Sequence, residues 1–76
     1  MSLPSISARE ALRAFEKAGY RRVRQSGSHV VMQKTVGHST NTLVVPNHPE
    51  LAKGTLRAVI RKSGMTVEEF VALLHS

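Results

Sequence analysis

"YRRVRQSGSHVVMQK" (Tyr20–Lys34) reads as strand, turn, strand, and that reading decides the fold. In "YRRVRQ" (20–25), Tyr20 and Val23 supply strand-forming residues, and the three arginines suggest one solvated face. "SGS" (26–28) is a short turn, because Gly27 takes a positive φ at no steric cost. "HVVMQK" (29–34) is then a second strand antiparallel to the first. Beyond it, "TVGHSTNT" (35–42) is expected to be a polar loop centred on Gly37. "NTLVVPN" (41–47) follows as a third strand whose hydrogen-bond ladder Pro46 stops. Short connections make the three strands an antiparallel meander.

On either side of the meander the apolar period changes to that of a helix. In "SAREALRAFEKAG" (7–19), Ser7 is the N-cap, Glu10 completes a capping box and Gly19 marks the end. Ala8, Ala11, Leu12, Phe15 and Ala18 form its buried stripe. "LAKGTLRAVIRKSG" (51–64) is a second helix that buries Leu56, Val59 and Ile60 and exposes the row Lys53, Arg57, Arg61. "MTVEEFVALLH" (65–75) is a short last helix with a second capping box, Thr66 to Glu69. Helix, three antiparallel strands, helix and a short C-terminal helix make an α+β two-layer sandwich. One sheet face packs on the helices and the other is left to solvent or a partner. Without repeat, linker or low-complexity tract, residues 1–76 are expected to form one domain.

Charge narrows the partners. Eleven Lys and Arg stand against five acidic residues, all Glu, for a net +6 and a pI near 10.9. Such an excess on a small domain favours polyanions, through counterion release from phosphates. No cysteine is present, so disulfides and thiolate zinc sites are excluded, and a cytoplasmic location is expected. The first ten residues lack the apolar stretch of a secretory signal. No run approaches the ~20 apolar residues that cross a bilayer, and no membrane partner is expected.

Four histidines are present: His29, His38, His48 and His75. His75 is next to last, and His38 sits in the expected polar loop with no evident partner. His48, between Asn47 and Pro49, suits a structural turn or a second role in chemistry. His29 opens a strand beside Gly27 and Ser28, where the turn lets another chain approach. A free imidazole titrates near ~6.5, so near neutrality it can take or give a proton. Two readings of His29 stand: a polar residue at a strand edge, or a general acid/base. Arg22 and Arg24 in the first strand and Lys34 in the second either neutralise phosphate there or form a solvated face. Lys53 and Arg57 divide in the same way between phosphate contact and solubility.

Other chemistries lack their residues. The chain has no H-E-x-x-H, no G-x-S-x-G elbow, no P-loop and no dinucleotide fingerprint. With no Asp and no Glu near His29 in sequence, neither a metal nor any other cofactor is expected. What stays open needs only proton transfer and positive charge. RNA cleavage by its own 2′-hydroxyl is such a reaction. A non-catalytic RNA-binding module and a subunit that meets an acidic protein are the rivals.

The chain resembles the HicA family, the toxin half of a bacterial and archaeal type II toxin–antitoxin pair. The resemblance rests on "ALRAFEKAGY" (11–20), "RQSGSHVVM" (24–32) and "LVVPNHPELAKGTLRAVIRKSGMTVEEF" (43–70), which together span most of the chain. It implies a fold like that of the double-stranded RNA-binding domain. It also implies a ribosome-independent mRNA interferase, and a HicB-type antitoxin that covers the active site. The G-S-H step falls on Gly27, Ser28 and His29, which makes His29 the implied catalytic residue with the other two shaping its surroundings. The histidine after the proline falls on His48, a secondary candidate. Nothing calls for an obligate homodimer, so a monomer is expected when the protein is free.

Overall fold

A computed structural model describes residues 3–76. Its elements are α1 (Ala8–Lys17), β1 (Arg21–Ser26), β2 (His29–Val36), β3 (Ser39–Pro46), α2 (Lys53–Ser63) and α3 (Val67–Leu74). The expected extent of one domain, 1–76, begins with residues 1–2, which lie outside the described residues. The strands form one antiparallel sheet in the order β1-β2-β3. Helices α1 and α2 pack on one face of the sheet and α3 packs on α1, so the α+β two-layer sandwich is the observed architecture.

Local chemistry starts α1 and α3 where the pattern placed them, while α2, expected from residue 51, begins at Lys53 without a side-chain cap. Both capping boxes form: Ser7 with Glu10 at α1, and Thr66 with Glu69 at α3. Each satisfies backbone N–H groups that the first helical turn leaves unpaired. The α1 stripe is buried as expected at Ala8, Ala11, Leu12 and Phe15, with Ala14 added and Ala18 partly buried. On the sheet, Val30 and Met32 of β2 and Leu43 and Val45 of β3 alternate into the same core. Leu56 and Ile60 of α2 and Phe70 of α3 close it. The Phe15 ring meets Tyr20 edge-on and Phe70 at a tilt, with centroids 6.0 and 5.1 Å away.

Asn41 fixes α2 over β3. Its side-chain amide donates to the Tyr20 hydroxyl at 2.6 Å and to the Lys62 carbonyl at 3.0 Å. The Tyr20 hydroxyl in turn reaches the Ser63 carbonyl at 3.4 Å. Tyr20 is therefore a core residue that precedes β1 and not the first residue of a strand.

The segment 35–42 is not a loop. Strand β2 runs to Val36 and β3 starts at Ser39, leaving a two-residue turn at Gly37 and His38. Thr35 pairs with Thr40 and Gln33 with Thr42, and both pairs join their side chains, at 3.4 and 3.3 Å. Polar residues suit these strands because they line the face that no helix covers. Both hairpins use a glycine at the first turn position, Gly27 at φ +57° and Gly37 at φ +61°, while among the described residues no other residue type takes a positive φ. That combination fits a type II′ turn, whose twist matches the flanking strands.

Candidate active site

Register sorts the strand residues onto two faces. Directly paired residues of an antiparallel sheet point to the same side. His29 pairs with Ser26 on β1 and Pro46 on β3, Val31 with Arg24 and Val44, and Gln33 with Arg21 and Thr42. These residues share the open face. Met32 pairs with Arg22, and Val30 with Gln25, on the face toward the helices.

His29 therefore stands at the end of the central strand, exposed, on the uncovered side. The turn before it is tethered: the Asn47 N–H donates to the Ser28 carbonyl at 2.5 Å. His48 follows, and its carbonyl accepts from the Ala8 N–H at 3.0 Å. One hydrogen-bonded path thus joins the G-S-H turn, the 47–48 segment and the start of α1. His48 is exposed and lies at the His29 end of the sheet, two residues past the Pro46 that pairs with His29. Space does not explain Gly27, because a Cβ there would meet nothing within 4 Å; its φ does.

Arg22, Arg24 and Lys34, the candidates for neutralising phosphate or forming a solvated face, fall on two sides of the sheet. Arg24 shares the face of His29, one pair away. Arg22 lies on the helix side and bridges to Glu16 of α1, with nitrogen and oxygen 3.4 Å apart. Lys34 also lies on the helix side. Its ammonium donates to the Ala18 carbonyl at 2.7 Å and sits 5.8 Å from the centre of the Tyr20 ring. A cation there satisfies the end of α1, where the helix dipole is negative. Lys34→Met is expected to cost about 1–2 kcal/mol, measured by urea unfolding, from a lost charged hydrogen bond at a helix end. Loss of RNA affinity without loss of stability would return Lys34 to the phosphate role.

Lys53 and Arg57 are exposed on α2, which begins seven residues after Pro46. The first turn of α2 has no side-chain cap and no acidic residue, so its N–H groups add to the positive charge. His38 occupies the turn at the opposite end of β2 from His29, and His75 caps α3. Two residues on the open face escaped the sequence reading, Ser26 and Arg21. Ser26 is recoverable from a two-residue hairpin, which makes it the partner of His29. For Arg21 no local signal exists, because its face depends on a bulge: between Arg22 and Arg24 the register shifts by one at Val23.

From Arg21 to Pro46 the chain carries Arg21, Arg22, Arg24 and Lys34 and no acidic residue. The sheet is thus cationic, with an imidazole at one end of its open side. Among the described residues, no three His, Cys, Asp or Glu come together in a group that could hold a metal ion, and no helix is long and apolar enough to cross a membrane.

A search among curated proteins returns no match. The family model described as the HicA toxin of bacterial toxin–antitoxin matches residues 8–65, from the first residue of α1 to the residue after the end of α2 and its glycine. That span includes the G-S-H turn, the whole sheet and both faces described above. The chain belongs to the HicA toxin family, the toxin member of a pair whose other member is an antitoxin.

Proposed function

We propose that the protein is a metal-independent endoribonuclease that cleaves mRNA in the cytoplasm through His29, and that a HicB-type antitoxin neutralises it. The observation that carries this reading is the exposed imidazole at the end of the central strand, on the open face, one residue pair from Arg24.

The chemistry follows from what those groups can do. A base removes the proton of a ribose 2′-hydroxyl, and the oxygen attacks the adjacent phosphorus. The bond from phosphorus to the 5′-oxygen breaks as an acid gives that oxygen a proton. The products are a 2′,3′-cyclic phosphate and a 5′-hydroxyl, with no water consumed and no net change in protons. His29 serves as base or acid. His48, at the same end of the sheet, is the candidate for the second proton. Charge accumulates on the phosphoryl oxygens, where Arg24 can stabilise it. Gly27 and Ser28 fix the turn that aims His29, while Lys53 and Arg57 hold phosphates further along the strand. The open, unwalled surface suits a polymer better than a small substrate, which needs a concave pocket. One domain, a monomer when free, is enough for these roles.

An RNA substrate incubated with the protein in excess chelator tests this. Fragments ending in a 2′,3′-cyclic phosphate and a 5′-hydroxyl are expected. Fragments with a 5′-phosphate, made only when magnesium is restored, would overturn the mechanism. Intact RNA would leave a binding module in its place.

A further inference from the structure

We infer that a single RNA strand lies flat on the open sheet face, with its phosphates over Arg24 and Arg21 of β1 and its bases over Val31 and Val44. This deepens the reading above and rests on it for the identity of the polyanion.

The bulge is the first observation. Arg21 and Arg24 are three residues apart, so in a regular strand they would point to opposite sides. The extra residue, Val23, restores them to one side: Arg21 pairs with Gln33 and Arg24 with Val31, both on the face of His29. The same shift leaves Arg22 between them on the other side, paired with Glu16. Two cations thus follow His29 in a line. At about 3.3 Å per residue, Arg24 is offset from His29 by roughly 7 Å along the strands and Arg21 by roughly 13 Å. Successive phosphates of one extended strand can meet that spacing.

The second observation is the asymmetry across the sheet. β1 supplies all the charge on this face, and β3 supplies none. In the middle, Val31 and Val44 form a cross-strand apolar pair, and Val44 is 49% exposed on a strand with no helix over that side. A β-branched pair beside cations, Val44 exposed and Val31 half-buried, offers contact to the flat, weakly polar faces of bases. Gln33 and Thr42, already joined to each other, leave hydrogen-bonding capacity for base edges and 2′-hydroxyls. Arginines on one strand and an apolar and neutral polar strip beside them match a nucleotide strand lying on its side. A duplex keeps its bases inside and would leave the valines without a partner.

The test measures binding of a short, uniformly 2′-O-methylated RNA strand, which lacks the attacking hydroxyl, across a range of salt. Arg21→Gln and Arg24→Gln are each expected to weaken binding about tenfold. Each should also lower the slope of log affinity against log salt by about 0.7, the value for one single-strand phosphate. Arg22→Gln should change neither. The inference is overturned if Arg22→Gln costs as much as Arg21→Gln, since net charge then suffices. It is overturned equally if duplex RNA binds better than the strand, or if the two open-face variants impair antitoxin binding but not RNA binding. Because the probe cannot be cut, arginine-dependent binding together with uncleaved natural RNA would sink the nuclease and keep the strand path. Cleavage with unaltered binding by both variants would do the reverse.

Discussion

His29→Ala is expected to abolish RNA cleavage and growth arrest while leaving the fold intact. The rate should fall about 10²–10⁴-fold, the usual contribution of a general acid or base. Folding should survive because the side chain is exposed and, among the described residues, accepts or donates no hydrogen bond that holds an element in place. The backbone of β2 keeps its partners Ser26 and Pro46 whichever side chain stands at 29. The measurements are the fate of cellular mRNA after induction, the cleavage rate of a purified RNA substrate, and the urea midpoint of the variant. A variant that folds and still cleaves would remove His29 from the mechanism. His48→Ala sharpens the result: if His48 supplies the other proton, its loss also falls on the turnover rate and not on strand affinity. If it acts only through the turn, with its carbonyl on Ala8, alanine keeps that bond and activity stays.

What could be read from the sequence depended on how local each cause is. The capping boxes at Ser7 and Thr66 act over three residues, so their signal is complete within the motif. The α1 stripe is likewise local, because one turn of helix repeats it. The second hairpin was hidden for a physical reason. Its outward residues, Thr35, Thr40 and Thr42, face away from the helices, so nothing demands the apolar alternation that reveals a strand. Position 29 was legible from the turn beside it. The company it keeps was not: Val23 reverses the facing of everything before it in β1, and no residue type announces a bulge. Lys34 was ambiguous for another reason, since its partner at Ala18 belongs to another element, sixteen residues earlier in the chain.

The same architecture makes Phe15→Ala the variant with the largest effect on stability. Phe15 is fully buried, and its ring is the contact between α1, the Tyr20 that leads into β1, and the Phe70 of α3. Truncation removes the transfer energy of a benzyl group and leaves a cavity among residues that belong to different elements, a loss of about 3–5 kcal/mol. A chain of this length has about 4–11 kcal/mol in all, at 0.05–0.15 kcal/mol per residue. The melting temperature should therefore drop by more than about 15 °C, followed by circular dichroism. Toxicity should disappear with the fold, by a route unlike that of His29→Ala. α1 positions the 47–48 segment through the Ala8 to His48 bond, and the Ser28 carbonyl holds that segment to the G-S-H turn. As α1 loosens, the turn loses its tether before any side chain of the open face has changed. An antitoxin that binds only the native state should recover part of the lost melting temperature in the Phe15→Ala variant. An unchanged melting temperature would mean that the three elements do not share one core. A destabilised variant that the antitoxin fails to rescue would mean that the antitoxin does not need the folded toxin surface, and inhibition would then require a different explanation.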